Sequence, residues 1–366
     1  MDKNIYFSRM KETTEKVFPI IAKYTERTKE LDSDLYRILM FIIDKRKQSL
    51  LLRPFLTRLS FEICGGNNLE TILPACAVSE LLNISSYQAN VAFDNKLGIL
   101  SLNDKNSQFI ASIITRELCT DILSEEEIDI DRELVSNITN LISKSNKFIY
   151  VAQHYDLNVL TTDNLNKYAN DENLFMEDYI KRCFYGSGIF NGDCTQIGAL
   201  LSGAKYDQIE ALRSFGENYG IGLQIMNDLA DFIPPGNDNI IHRYLQDQFS
   251  DLRNGRLTLS LYKILKTRKA ITNRLLEKIT NKEQFTAKEL DEITRMLVEE
   301  GIVDSVKSLA TNYAKKANAS LDIFPDSDSK KFLSAMTSIF YGNKYLKCFS
   351  EITEKCNNYT KAAVSF

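Results

Sequence analysis

In the run Leu223-Gln224-Ile225-Met226-Asn227-Asp228-Leu229-Ala230-Asp231, side-chain oxygens recur at helical spacing. Asn227 and Asp231 stand i, i+4; Asp228 and Asp231 stand i, i+3; Gln224 lies one turn before Asp228. Positions so spaced are neighbours on a helix surface, roughly 5–6 Å apart at Cβ. Apolar residues flank them on both sides, so the acidic patch is expected to face an interior or a cleft. Hard oxygen donors in this pattern suit Mg²⁺, which keeps several waters and shares one or two carboxylates with a phosphate. A second segment, Asp251-Leu252-Arg253-Asn254-Gly255-Arg256-Leu257-Thr258-Leu259, follows in the chain. Its Arg256, in a Gly-containing loop, is placed to meet such a phosphate from the other side.

The elements that position these groups are read from composition and periodicity. The chain has 366 residues, of which 44% are hydrophobic and 26% charged, an ordinary globular balance. Only 15 Gly and six Pro argue against a turn-rich β protein and for long helices. A net charge of −4 gives a nucleic-acid partner no electrostatic support. Seven cysteines without a C-x-x-C pair read as reduced, buried thiols in a cytoplasmic protein. The first residues lack a signal-peptide pattern, and no apolar run nears the roughly 20 residues of a membrane span. Apolar residues recur at helical spacing, as in Leu35-Ile38-Leu39-Ile42-Ile43 and Ile113-Ile114-Leu118-Ile122. Breaks are expected at 64–68, 103–106, 124–127, 234–238 and 325–328. The reading is one all-α domain over 1–366, a bundle of ten or more helices around a central cavity, where side chains of facing helices converge.

The motifs, taken together, resemble the trans-isoprenyl diphosphate synthase (polyprenyl synthetase) family. Its second aspartate motif, F-Q-I-x-D-D-I-x-D, stands here as 223–231, and its D-L-x-x-G-K-x-T-L as 251–259. Ala152-Gln153-His154-Tyr155-Asp156-Leu157 is similar to its G-Q-x-x-D-L, and Gly198-Ala199-Leu200-Leu201-Ser202-Gly203 to its G-A-x-L-A-G. The resemblance covers about 30–345 and leaves 348–366 as a C-terminal extension. It implies the isoprenoid synthase fold. The first aspartate motif is degenerate: H-D-D-x-x-D becomes Ala89-Asn90-Val91-Ala92-Phe93-Asp94, so only Asp94 keeps its carboxylate. The arginine pair that follows it is absent, since no Arg occurs between Arg58 and Arg116. The early G-G-K-R-x-R-P becomes Gln48-Ser49-Leu50-Leu51-Leu52-Arg53-Pro54, which retains Arg53. The family's histidine after Glu80 is Asn83. The K-T pair before G-A-x-L aligns with Gly186-Ser187, so its lysine is gone.

The missing cations are those with which the family binds isopentenyl diphosphate, and a diphosphate without charge-assisted hydrogen bonds is costly to desolvate. The allylic end is better preserved. The resemblance therefore implies a class I terpene synthase-like lyase that ionises an allylic prenyl diphosphate of C15–C20 or longer and cyclises or rearranges the cation. The alternatives are a non-catalytic or regulatory subunit of a heteromeric synthase, and a prenyltransferase with an altered acceptor site. Mg²⁺, with Mn²⁺ as a substitute, would be held by Asn227, Asp228, Asp231, Asp94 and Asn90. Asp228, Asp231 and Arg256 would serve the departing diphosphate. Gln224, Arg53, Gln153, Asp156 and Ser187 complete the substrate contacts with Phe93 on the prenyl side, and Ser85 and Ser86 form a small-residue floor. Phe184, Tyr185 and Phe190 are further aromatic candidates, each read first as core. The expected partners are the prenyl diphosphate and a second copy of the chain as a homodimer, or a prenyl synthase as a heteromer. His154, His242, Lys96 and Lys181 read as surface groups.

Overall fold

The computed structural model describes residues 3–47, 49–94, 105–125, 131–232, 248–267 and 269–342. Their order is α1 (Lys3–Glu26), α2 (Thr28–Leu31), α3 (Ser33–Lys47), α4 (Leu52–Ile63), α5 (Leu69–Asp94), α6 (Lys105–Ser124), α7 (Arg132–His154), α8 (Glu172–Cys183), α9 (Ile189–Leu201), α10 (Tyr206–Ala230), α11 (Ser250–Arg253), α12 (Leu259–Thr267), α13 (Lys269–Thr280), α14 (Ala287–Glu299), α15 (Ile302–Ser320) and α16 (Asp328–Gly342). Two π turns, Tyr155–Val159 and Phe184–Gly188, extend α7 and join α8 to α9. Among the described residues the extended pairing is a single antiparallel bridge between Thr161 and Arg256. The all-α expectation holds. The expected breaks at 64–68 and 325–328 fall between α4 and α5 and between α15 and α16. Residues 234–238, His242, Lys96 and 348–366 lie outside the described residues.

The chain gathers into two compact units, one of residues 1–149, 189–217 and 317–336, the other of 150–188, 218–316 and 337–366. In the first, the stretch 72–78 of α5 is apolar on all sides, and Ile72, Leu73, Ala75, Cys76, Ala77, Val78, Leu81 and Leu82 are all buried. A helix apolar all round must be enclosed, and α5 is packed by α1, α4, α6 and α9. The face Ile38-Leu39-Ile42-Ile43 of α3 is buried as its spacing requires. Helices α4 and α9 meet at Gly198, where a Cβ would lie 2.2 Å from the Thr57 carbonyl oxygen and 2.9 Å from the Phe61 nitrogen. Only glycine permits that approach.

In the second unit α8 buries Phe175, Tyr179, Arg182 and Cys183. Phe175 stacks on Tyr262 of α12 with ring centres 3.7 Å apart. Thr286 caps α14: its hydroxyl accepts from the Glu289 nitrogen, and Glu289 accepts from the Thr286 nitrogen at 2.8 Å. Below the cap, Ile293, Met296 and Leu297 form the buried face of α14.

Candidate functional site

The acidic motif belongs to the second unit, at the C-terminal end of α10. Its three acid-amide positions meet three different environments. Asn227 is exposed, and Asp228 is 3% exposed. Asp231, half-buried, lies just beyond the helix.

Asp228 is held on both oxygens. Its Oδ1 accepts Gln224 Nε2 at 2.7 Å and Arg182 Nη1 at 3.0 Å. Its Oδ2 accepts the Tyr179 hydroxyl at 2.8 Å and the same Arg182 nitrogen at 2.9 Å. Arg182 also donates from Nε to Asp156 Oδ1 at 2.7 Å, on the first π turn. The i−4 relation of Gln224 to Asp228 is thus realised as a direct hydrogen bond. Tyr179 and Arg182 were not among the expected site residues. Burial and then the Asp228 charge push the Tyr179 phenol well above its ordinary range. Burial alone would pull the Arg182 guanidinium down, but Asp156 and Asp228 outweigh it and hold its proton more tightly. The signal for Arg182 is in the sequence: a cation on the stripe Phe175-Tyr179-Arg182-Cys183 is buried on a helix face, and a buried charge needs a partner.

Asp231 does different work. Its Oδ1 accepts from the Ser250 nitrogen at 3.0 Å and the Ser250 hydroxyl at 3.2 Å, and its Oδ2 from the Asp251 nitrogen at 3.0 Å. The carboxylate therefore caps α11, where the open amides of a helix start favour negative charge. Its carbonyl also accepts from the Phe249 nitrogen at 2.7 Å.

Arg256 is buried in the turn that follows. The turn is fixed by hydrogen bonds from Arg256 N to Asp251 O at 2.8 Å, Thr162 N to Gly255 O at 2.7 Å and Leu257 N to Leu160 O at 2.8 Å. Gly255 has φ +62°, and a Cβ there would lie 2.5 Å from Thr162 Oγ1. Arg256 Nη1 stands 3.7 Å from Asp251 Oδ1. Desolvation draws its guanidinium down to about 10, which leaves it charged at neutral pH. Gln153, on α7, is buried with no hydrogen-bond partner for its Nε2 among the described residues. Ser187 is buried in the second π turn. His154 and Lys181 are exposed, in keeping with a surface role.

The remaining expected residues belong to the first unit. Arg53 lies over the Phe190 ring, 4.9 Å from its centre. Asn90 is exposed on α5, and Phe93, 39% exposed, tilts against Phe109. Asp94 ends α5, and its side chain lies outside the described residues. Ser85 is buried with its hydroxyl donating to the Ser112 carbonyl of α6 at 2.8 Å, and Ser86 donates back to Leu82 at 2.9 Å. The serines expected as a floor thus fasten helix backbone, and Gln88 beside them accepts from Thr115 at 2.9 Å.

Among the described residues no group of three Asp, Glu, His or Cys side chains is gathered closely enough to hold a metal ion. The expected Mg²⁺ donors of α10 do not fit the ion as arranged: Asp228 is saturated by a cation, a phenol and an amide, Asp231 caps a helix, and Asn227 is a single neutral donor. Mg²⁺ demands near-octahedral oxygen geometry at roughly 2.0–2.1 Å with waters retained.

Known proteins agree with the fold. The geranylgeranyl pyrophosphate synthetase of Pyrococcus horikoshii superposes with a TM-score of 0.75 at 19% identity, covering 94% of this chain and all of that one. A polyprenyl synthase from Caulobacter crescentus, solved with calcium and isoprenyl diphosphate, superposes at 0.67 with 17% identity, covering 88% and 97%. In sequence, the geranylgeranyl diphosphate synthase of Methanosarcina mazei is 25% identical over 318 residues, 85% of this chain and 90% of the relative. Residues 106–297, a segment that carries the acidic helix, the Arg256 turn and the α8 stripe, match the family model described as polyprenyl synthetase. With the isoprenoid synthase fold in place around those same motifs, the chain belongs to the polyprenyl synthetase family.

Proposed function

We propose that the chain is a prenyltransferase whose donor is an allylic prenyl diphosphate and whose acceptor site is altered. In such a reaction the allylic C–O bond breaks, diphosphate departs, a C–C bond forms to the acceptor alkene and a proton is released. The observation that carries this reading is the nearly full-length kinship with an enzyme named for a prenyl diphosphate product. The cyclising lyase expected from the lost cations has no counterpart among those relatives and is not proposed.

The chain's own groups suit the leaving end. Arg256, desolvated and charged, provides a fixed positive charge for a departing diphosphate, and such preorganised charge acts most strongly where water is excluded. Gln153 Nε2 offers an uncommitted donor. At the acceptor end, leucines stand in place of the expected cations, with Leu51 fully buried. That environment favours an acceptor less anionic than a diphosphate, because an unpaired phosphate there would lose its hydration without compensation. A homodimer is the working assembly.

The test incubates purified protein with C10 to C20 allylic diphosphates, with and without isopentenyl diphosphate or a neutral prenyl acceptor, and analyses products by mass spectrometry. Prenyl transfer appearing only when an acceptor is added, and lost in Arg256→Gln by about 10²-fold or more, is the expected result. A hydrocarbon formed from the donor alone would overturn it in favour of the lyase. Activity that appears only on adding a partner prenyl synthase would overturn it in favour of the subunit.

A further inference from the structure

The α10 motif invites a divalent ion in its spacing and refuses one in its contacts. Asp228 is 3% exposed and its two oxygens share four hydrogen bonds at 2.7–3.0 Å, two of them from one guanidinium nitrogen. The same guanidinium, on α8, grips Asp156 through Nε at 2.7 Å. Arg182 itself is 7% exposed. We propose that Arg182 is the resident cation of this motif, standing in for a metal ion, so that Asp228 is an ion-pair partner and binds no divalent cation.

Three physical arguments support the assignment. Charge is the first: one guanidinium between two carboxylates leaves the trio at −1, and a divalent ion approaching Asp228 would meet a fixed positive charge about 3 Å from its ligand oxygen, with little water to screen it. Space is the second: Mg²⁺ sheds its hydration reluctantly and usually keeps several waters, and a carboxylate this enclosed has no room for them. The third is what displacement would leave behind. If Asp228 turned to a metal, Arg182 would keep only Asp156, and a buried charge stripped of a partner is strongly unfavourable. Arg182 cannot readily withdraw, because α8 is fixed through Tyr179, Phe175 and Tyr262, whose rings stack in sequence.

The inference concerns this motif alone and does not rest on the proposed reaction. Its test counts ions. Full-length protein is titrated with Mn²⁺, alone and with inorganic pyrophosphate, and bound Mn²⁺ is read by electron paramagnetic resonance. Whatever the wild-type count, Asp228→Asn is expected to leave it and its affinity unchanged. Arg182→Met is expected to gain one Mn²⁺ per chain, lost again in Arg182→Met/Asp228→Asn. A lower count, or a tenfold weaker affinity, in Asp228→Asn would overturn the proposal, as would a folded Arg182→Met that gains no ion. Circular dichroism reports folding. Should Asp228→Asn fail to fold, Arg182→Met/Asp228→Leu, which removes both charges together, is compared with wild type and read the same way.

Discussion

At the scale of single residues, two buried acids behave in opposite ways. Asp228 is paired with a buried guanidinium, so Asp228→Ala leaves Arg182 short of a partner and is expected to cost about 3–5 kcal/mol, measured by urea unfolding. Among the described residues, Asp193 of α9 has no such guanidinium in contact. Its Oδ2 is hydrogen-bonded to the Ser145 hydroxyl of α7. Burial lifts its pKa well above the usual carboxylate range; Arg213 opposes the rise and Glu217 adds to it. The folded state therefore holds this proton more tightly than the unfolded chain does. Its stabilisation is complete at acid pH and is lost as pH climbs from the ordinary carboxylate range through the raised value. Unfolding midpoints at pH 5 and pH 8 should show that loss in wild type, and Asp193→Asn should show a smaller one. Half of this chemistry was legible beforehand. Helical spacing alone brings Gln224 to Asp228, and the structure makes that hydrogen bond. Spacing within one helix says nothing of what another helix brings up to it, which is why Arg182 and Tyr179 were missed.

At the scale of elements, contact geometry is set by a few small residues. Gly198→Ala would drive a methyl into the backbone of α4, 2.2 Å from Thr57 O. Because main chain cannot move aside as a flexible side chain can, the helices must separate, and overpacking of this kind costs about 1–3 kcal/mol or more. A thermal melt should show the loss directly. The glycine was visible in the sequence as part of G-A-x-L-S-G, but the reason for it was not, since a helix–helix approach depends on the partner's backbone. The capping of α11 by Asp231 was hidden for a related reason: residues 223–231 read as one periodic run, and the run stops at Ala230, so the last carboxylate serves the next helix. Ser85 and Ser86 were likewise read as a cavity floor because small side chains on an apolar helix suit either purpose, whereas their hydroxyls donate to the carbonyls of Ser112 and Leu82.

At the scale of the whole chain, fold class and family were legible, and the reaction was read as a lyase first with prenyl transfer as an alternative. Long apolar periodicity, scarce glycine and ordered motifs lead to an all-helical isoprenoid synthase fold, as observed. Nothing in the sequence marks the division into two compact units, because four of its five boundaries fall inside α7, α10, α15 and α16, where the sequence carries no punctuation. The loss of the family's cations led to a cyclising lyase, yet the relatives that match across most of the chain are named for prenyl diphosphate products. The bond between Arg182 and Asp228 also constrains how this protein can change over time. Either partner removed alone strands a charge in the interior, whereas both replaced by well-fitting apolar residues can be neutral or even stabilising. A lineage carrying the pair can shed it only by a double step, so drift through single substitutions is closed at this point, and the two codons are expected to vary together or stay fixed.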